Sequence, residues 1–257
     1  MVKYNELRTP GKLGLIIPEE RQLKTTAVVP PILTAPPSAD FMYGFKNWGW
    51  YGNDVYNNCF WAALAHVKMV QSILGVNAKK QLIWVKGFKP PAQKVGLAWY
   101  EGYLKSQNQT LPGPGTSIYG GLDYMLSSKL VMAAGTVGPN GPNNTFTPEL
   151  INEAIYDFHA VIVCLALDKQ YDQEFNQDKP WGSLDPTPDF SLGHAVAAAM
   201  YRPSGRPFIT WGTVEGSLET FDNKAIWGFI PVITKNFAQQ PDVNIKTLIN
   251  KWQLQTS

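Results

Sequence analysis

The 257-residue chain sets 22 Lys and Arg against 20 Asp and Glu, a net charge of +2 that excludes a nucleic-acid footprint by composition. Hydrophobic residues make up 44% and charged residues 16%, enough to bury a core in one large domain or two packed lobes. Two cysteines are too few for a disulfide scaffold.

The first residues, MVKYNELRTPGKLGLIIPEERQLK, hold no apolar stretch of signal-peptide length, and charges interrupt them throughout. No segment approaches the ~20 apolar residues of a membrane span. The chain therefore reads as soluble, without a signal peptide and with no membrane partner. The acceptor patterns at Asn108 and Asn143 are discounted on the same ground. Residues 1–38 read as a Pro-rich extended arm, because Pro30, Pro31, Pro36 and Pro37 favour polyproline geometry and oppose helix and central-strand pairing. Such an arm can lie along the domain, reach other subunits or act as a short pro-segment.

The compact part is expected over 39–257. An aromatic loop, NWGWYGNDVYNN, precedes CFWAALAHVKMVQSIL, where Phe60, Ala63, Leu64, Val67, Val70 and Leu74 recur at helical spacing. Asn57 or Asn58 is the expected N-cap and Gly75 the expected stop. QKVGLAWYEGYLKSQ and SIYGGLDYMLSS are further helices, with Pro/Gly-rich joints at KGFKPP and LPGPG. TPELINEAIYDF is another, with Thr147 as cap, Pro148 in the first position and Glu149 at the positive dipole end.

After residue 158 the pattern turns to strands. HAVIVCLAL, HAVAAAMY, RPFITWG and WGFIPVI are short apolar runs. His159 is expected to open the first of them, and Cys164 within it to be a buried hydrophobe. The stretch from Lys169 to Phe190 is expected to be a polar loop, and VNIKTLINKW a short amphipathic helix. The organisation is α+β, a mainly helical lobe over 39–158 and a strand-rich lobe over 159–257.

Cys59 at a helix N-terminus is the candidate nucleophile, since unpaired N–H groups and the dipole favour a thiolate there. A base is needed, and the chain has three His. His66 lies two turns along the same helix, about 10 Å away, and reads as a polar-face or capping residue. His194 opens GHAVAAAMY and follows Cys59 by 135 residues, within the interval of the papain group. No Cys/His or His/Glu set has ligand spacing, and Thr9-Pro-Gly-Lys12 lacks the full phosphate-loop pattern, so neither metal nor cofactor is expected.

At these residues the chain resembles the papain-like cysteine peptidases. Asn53-Asp-Val-Tyr-Asn-Asn-Cys59-Phe-Trp-Ala-Ala63 resembles their nucleophile motif, Gly193-His194-Ala195-Val196 their Gly-His-Ala-Val strand, Ile209-Thr210-Trp211-Gly212 their Asn-Ser-Trp-Gly segment, and Asp40-Phe41 the Asp-Trp near their mature start. Closer still is the likeness to a little-studied group of papain-like proteins from bacteria and phages, through Tyr51-Gly-Asn-Asp54, Cys59 with Ala62-Ala63 and His66, Gly193–Val196 and Thr210–Gly212.

The resemblance implies an acyl-transfer hydrolase acting on peptide or protein, with Cys59 as nucleophile, His194 as base and Asn53 in the oxyanion hole where the family has Gln. Trp211 would shield the His. The family's orienting Asn falls on Ile209, which accepts no hydrogen bond. Thr210, if the strand register turns it toward the His, and Asp54 on the loop are the candidates to replace it. The alternative is a phage virion structural or interaction protein built on the same fold.

Overall fold

The computed structural model describes residues 12–16, 34–138, 147–185, 187–189 and 191–257. The parts of the arm at 1–11 and 17–33, with Pro30 and Pro31, lie outside the described residues.

One helix organises the molecule. α1 (Cys59–Val70) buries eleven of its twelve side chains, so it is a core helix and not a surface one. Burying side chains such as Phe60, Leu64 and Val67 stabilises the fold by roughly 1.5–3 kcal/mol each. Asn58 is its N-cap residue but makes no side-chain cap bond. Its amide donates instead to Tyr51 O at 2.8 Å, and its backbone carbonyl receives Trp61 and Ala62 N–H.

The helix stops at Val70, short of the expected Gly75, and 73–76 is strand. Gln71 accounts for the stop. Its Nε2 donates to Phe158 O at 2.9 Å and Val232 O at 2.8 Å, and its Oε1 receives Thr234 N–H at 3.1 Å.

Around α1 stand α2 (Lys94–Ser106) and α3 (Ile118–Ser127). Between them β5 (Thr116–Ser117) leads into α3, whose first turn is capped by the Ser117 hydroxyl accepting Gly120 N–H at 3.1 Å. A small ladder joins β3 (Ile73–Val76) to β4 (Leu82–Trp84).

The second half contributes β7 (Val161–Ala166), β8 (Gly193–Ala198), β10 (Phe208–Thr210), β11 (Thr213–Glu215) and β12 (Ile226–Ile233). With β6 (Ala133–Ala134) and β13 (Gln255–Thr256) they form a sheet in the order β11-β10-β8-β7-β12-β6-β13. β7, β8 and β12 are buried on both faces, which explains their continuous apolar runs. One face meets α1. The other meets α4 (Pro148–Phe158), Tyr171, Phe175 and α7 (Ile245–Trp252).

β2 (Ala39–Asp40) pairs with β9 (Met200–Tyr201) and ties the start of the compact part to the sheet. The chain has a mixed α+β, papain-like fold.

Several expectations need correction. His159 does not open a strand. It is the left-handed C-cap of α4, at φ 61°, stacked on Phe41 with ring centroids 4.1 Å apart. Thr147 is the N-cap of α4 through its backbone carbonyl, which receives Leu150 N–H, and its side chain makes no cap bond. The polar stretch after 168 contains α5 (Lys169–Asn176), capped by Asp168 on Gln170 N–H at 2.8 Å. A further helix, α6 (Glu219–Ala225), precedes β12. His66 is not on a polar face. It is buried, with Nε2 3.0 Å from Gly49 O.

Candidate active site

Cys59 begins α1, and α1 packs on β8, the strand that carries His194. Burial pushes the Cys59 pKa up to about 11 and outweighs the opposing pull of the Ala195, Gly14, Phe60 and Cys59 backbone N–H groups. His194 is fully buried, and burial lowers its pKa to about 3. Both groups are therefore neutral at pH 7 in this state.

Strand geometry explains who surrounds His194. β8 pairs with β10 so that Phe208 faces Ala198 and Ile209 faces Ala197. Alternation puts Ile209 on the α1 side, in the same apolar cluster as Ala195 and Ala197. Thr210 falls on the opposite side, with its Oγ1 2.8 Å from His194 Nε2. Trp211 takes a left-handed φ of 44° and lays its indole against the imidazole, with centroids 4.8 Å apart and planes 32° apart. His194 Nδ1 is buried without a hydrogen-bond partner. Asp54 is exposed on its loop and makes no bond to His194.

Residues 12–16 of the chain's own arm lie between the loop before α1, β5 and β8. β1 (Leu15–Ile16) pairs in parallel with β5, Leu15 against Thr116, and antiparallel with β8, Leu15 against Gly193. It thus links β5 to β8. Lys12 N–H donates to Asn53 O at 2.7 Å, and Asn53 Nδ2 donates back to Lys12 O at 2.7 Å and to Tyr56 O at 3.2 Å. Thr116 N–H donates to Gly14 O at 2.7 Å.

The sequence reading missed these arm residues. Its available signals were Gly14 inside the apolar run LGLII and the paired glycines of LPGPG, which it took as a joint.

Where the arm returns, at Thr34 and Ala35, both backbone N–H groups bond the Glu153 carboxylate at 2.6 Å, and Lys251 binds it too at 2.6 Å. Burial alone would raise the Glu153 pKa. Lys251 and the Ala35 and Thr34 donors outweigh it and hold the carboxyl below its ordinary value.

Among the described residues no group of three or more His, Cys, Asp or Glu is placed to hold a metal ion, and no helix is long and apolar enough to cross a membrane. A cavity of about 480 Å³, lined in part by Asp40, Met42, Phe45, Lys46, Met200 and Arg202, opens elsewhere and includes neither Cys59 nor His194.

A core helix beginning at a cysteine and docked on a His-bearing antiparallel strand is the architecture of papain-like cysteine proteases, and that fold is what the chain shares with them. The crystal structure of xylellain, a cysteine protease from Xylella fastidiosa, superposes with a TM-score of 0.53 over 89% of this chain and 98% of that one, at 12% identity. No protein-family model matches the sequence, and no curated protein matches it.

Proposed function

We propose that the chain is a papain-like thiol hydrolase held in a latent state by its N-terminal arm. The observation that carries this reading is the packing of α1, which begins at Cys59, on β8, the strand that carries His194. In the open state Cys59 attacks a carbonyl carbon and His194 holds its proton and passes it to the leaving amine. Nε2–H donates to Thr210 Oγ1, which leaves the Nδ1 lone pair free as the base. Asn53 Nδ2 and the Cys59 N–H stabilise the oxyanion, and water then hydrolyses the thioester. Peptide or protein is the substrate by analogy with the fold.

Latency follows from desolvation. While Lys12–Ile16 cover the cleft, the neutral thiol and neutral imidazole are favoured. Once they leave, water stabilises the ion pair. The arm also holds the Asn53 amide on Lys12 O, so the oxyanion donor is engaged until the arm moves.

The test is alkylation of Cys59 against pH in the parent, in an arm-displaced variant and in its His194→Ala derivative. Reactivity well below neutral pH in the displaced variant alone supports the reading. A single titration near 8.5 in all three overturns it.

A second reading is a structural or interaction protein of a phage virion that keeps this fold without activity. The neutral, covered pair favours it.

A further inference from the structure

The cavity of about 480 Å³ away from Cys59 has walls that its own turns hold in place. One wall is the turn that follows β2. Met42 O accepts Phe45 N–H at 2.9 Å, and Tyr43 and Gly44 between them take φ of 51° and 76°, the two left-handed positions of a tight turn. Asp40 Oδ1 ties this turn back to β2 by accepting Met42 N–H at 2.9 Å and Tyr43 N–H at 3.2 Å. The Phe45 ring is held edge-on to Trp48 and Trp84, at centroid distances of 4.8 Å and 5.9 Å.

A second turn makes the wall at the end of β9. Arg202 N–H donates to Gly205 O at 3.0 Å, and Gly205 N–H donates back to Arg202 O at 3.1 Å. Asp40 lies opposite Met200 in the β2–β9 ladder, so both turns are anchored on one pair of strands. β11 closes the third side with Thr213 and Val214.

The lining divides by chemistry. Its apolar part is Met42 and Met200, both buried, with half-buried Phe45 and Val214. Methionine thioethers are polarisable and make favourable contacts with aromatic rings. Its charged part sets Lys46 and Arg202 against Asp40, two cations to one carboxylate. Neither cation forms an ion pair with another described residue, whereas Asp40 already accepts two turn N–H groups on one oxygen. The Arg202 guanidinium is a planar fork that matches the two oxygens of a carboxylate. The volume lies within the range of small-molecule sites, roughly 300–1,000 Å³.

We infer that this cavity binds a small carboxylate with an aromatic body, at a site separate from Cys59 and His194. The ring lies among Met42, Met200 and Phe45, and the carboxylate faces Arg202 and Lys46. The inference does not depend on Cys59 being a nucleophile.

The experiment uses the full chain with isotope-labelled methionine methyl groups, titrated with naphthoate and with its neutral analogue naphthylmethanol. The Met42 and Met200 signals are assigned from Met42→Leu and Met200→Leu. Met69 and Met125, buried in the core, report whether the fold is intact. Naphthoate is expected to shift the Met42 and Met200 signals saturably and to bind about 10-fold tighter than the alcohol, the scale of one charge-assisted hydrogen bond. In a Lys46→Gln, Arg202→Gln double variant the two ligands are expected to bind within about 2-fold of each other, with the Met69 and Met125 signals unchanged.

Naphthoate that leaves both cavity signals unmoved overturns the site. Equal binding of acid and alcohol to the parent overturns the choice of a carboxylate. A preference for the acid that survives in the double variant overturns the assignment of the anion to Lys46 and Arg202.

Discussion

Cys59 and Cys164 are both free, both buried and both pushed toward the neutral thiol by burial. They differ in what buries them. Cys164 lies in the middle of β7, walled by β8 on one side and β12 on the other. Cys59 lies beside a short strand of the arm that pairs with β5 and β8 through a few backbone bonds. Two cysteines with the same exposure thus have different access to water, because one cover opens only with the whole fold and the other can open locally.

The largest test of that contrast is to lift the cover. Leu15→Asp puts a charge where a buried side chain packs, and Cys59 alkylation is expected to rise about 100-fold over the parent while Cys164 stays unlabelled. Peptide mapping checks it, and equal labelling of both thiols breaks the comparison. In that background His194→Ala is expected to lower the Cys59 rate at pH 6 by ten-fold or more, about the contribution of a positioned base.

Thr210→Val should reduce the rate about 10-fold and cost about 1–3 kcal/mol in a denaturant melt, since it strands a buried His194 Nε2. Cys164→Ala should leave Cys59 labelling unchanged and cost about 1 kcal/mol for the small cavity.

Acid probes a different buried group. Burial lowers the His66 pKa to about 4 from its ordinary 6.5. Between those values the unfolded chain binds a proton that the folded one refuses, so stability from this group is present above 6.5 and lost as pH falls toward 4. The loss is on the order of 3 kcal/mol. Thermal melts across this window should show a smaller acid loss in His66→Phe than in the parent, and parallel curves would refute it.

The helix start at Cys59 and the strand at His194 were legible because both follow from the local pattern of apolar residues, although Asn58 spends its amide on Tyr51 O and not on a cap. The partner of His194 was harder to read. Counting two residues back from Trp211 lands on Ile209, but the pairing of Ile209 with Ala197 turns it toward α1 and leaves Thr210 beside the imidazole. Register between strands distant in sequence decides that face, and a local pattern does not carry it. The occupied cleft was less legible still. Its bonds run from the Lys12 and Gly14 backbone to Asn53 and Thr116, and backbone groups are the same in every residue. The buried face of α5 was hidden for another reason, since KQYDQEFN places only Tyr171, Glu174 and Phe175 inside.

Gln71 has a consequence for how the chain is born. Its amide joins the end of α1 to Phe158 and to Val232 and Thr234, and Gln240 Nε2 donates back to Gln71 O at 2.8 Å. These partners lie far downstream, so a ribosome must deliver most of the polypeptide before α1 can seat. Contacts of such long loop closure favour slow folding, and a nascent first half would expose its apolar helix until then. Proteins truncated before residue 240 should therefore aggregate rather than accumulate as a stable helical lobe.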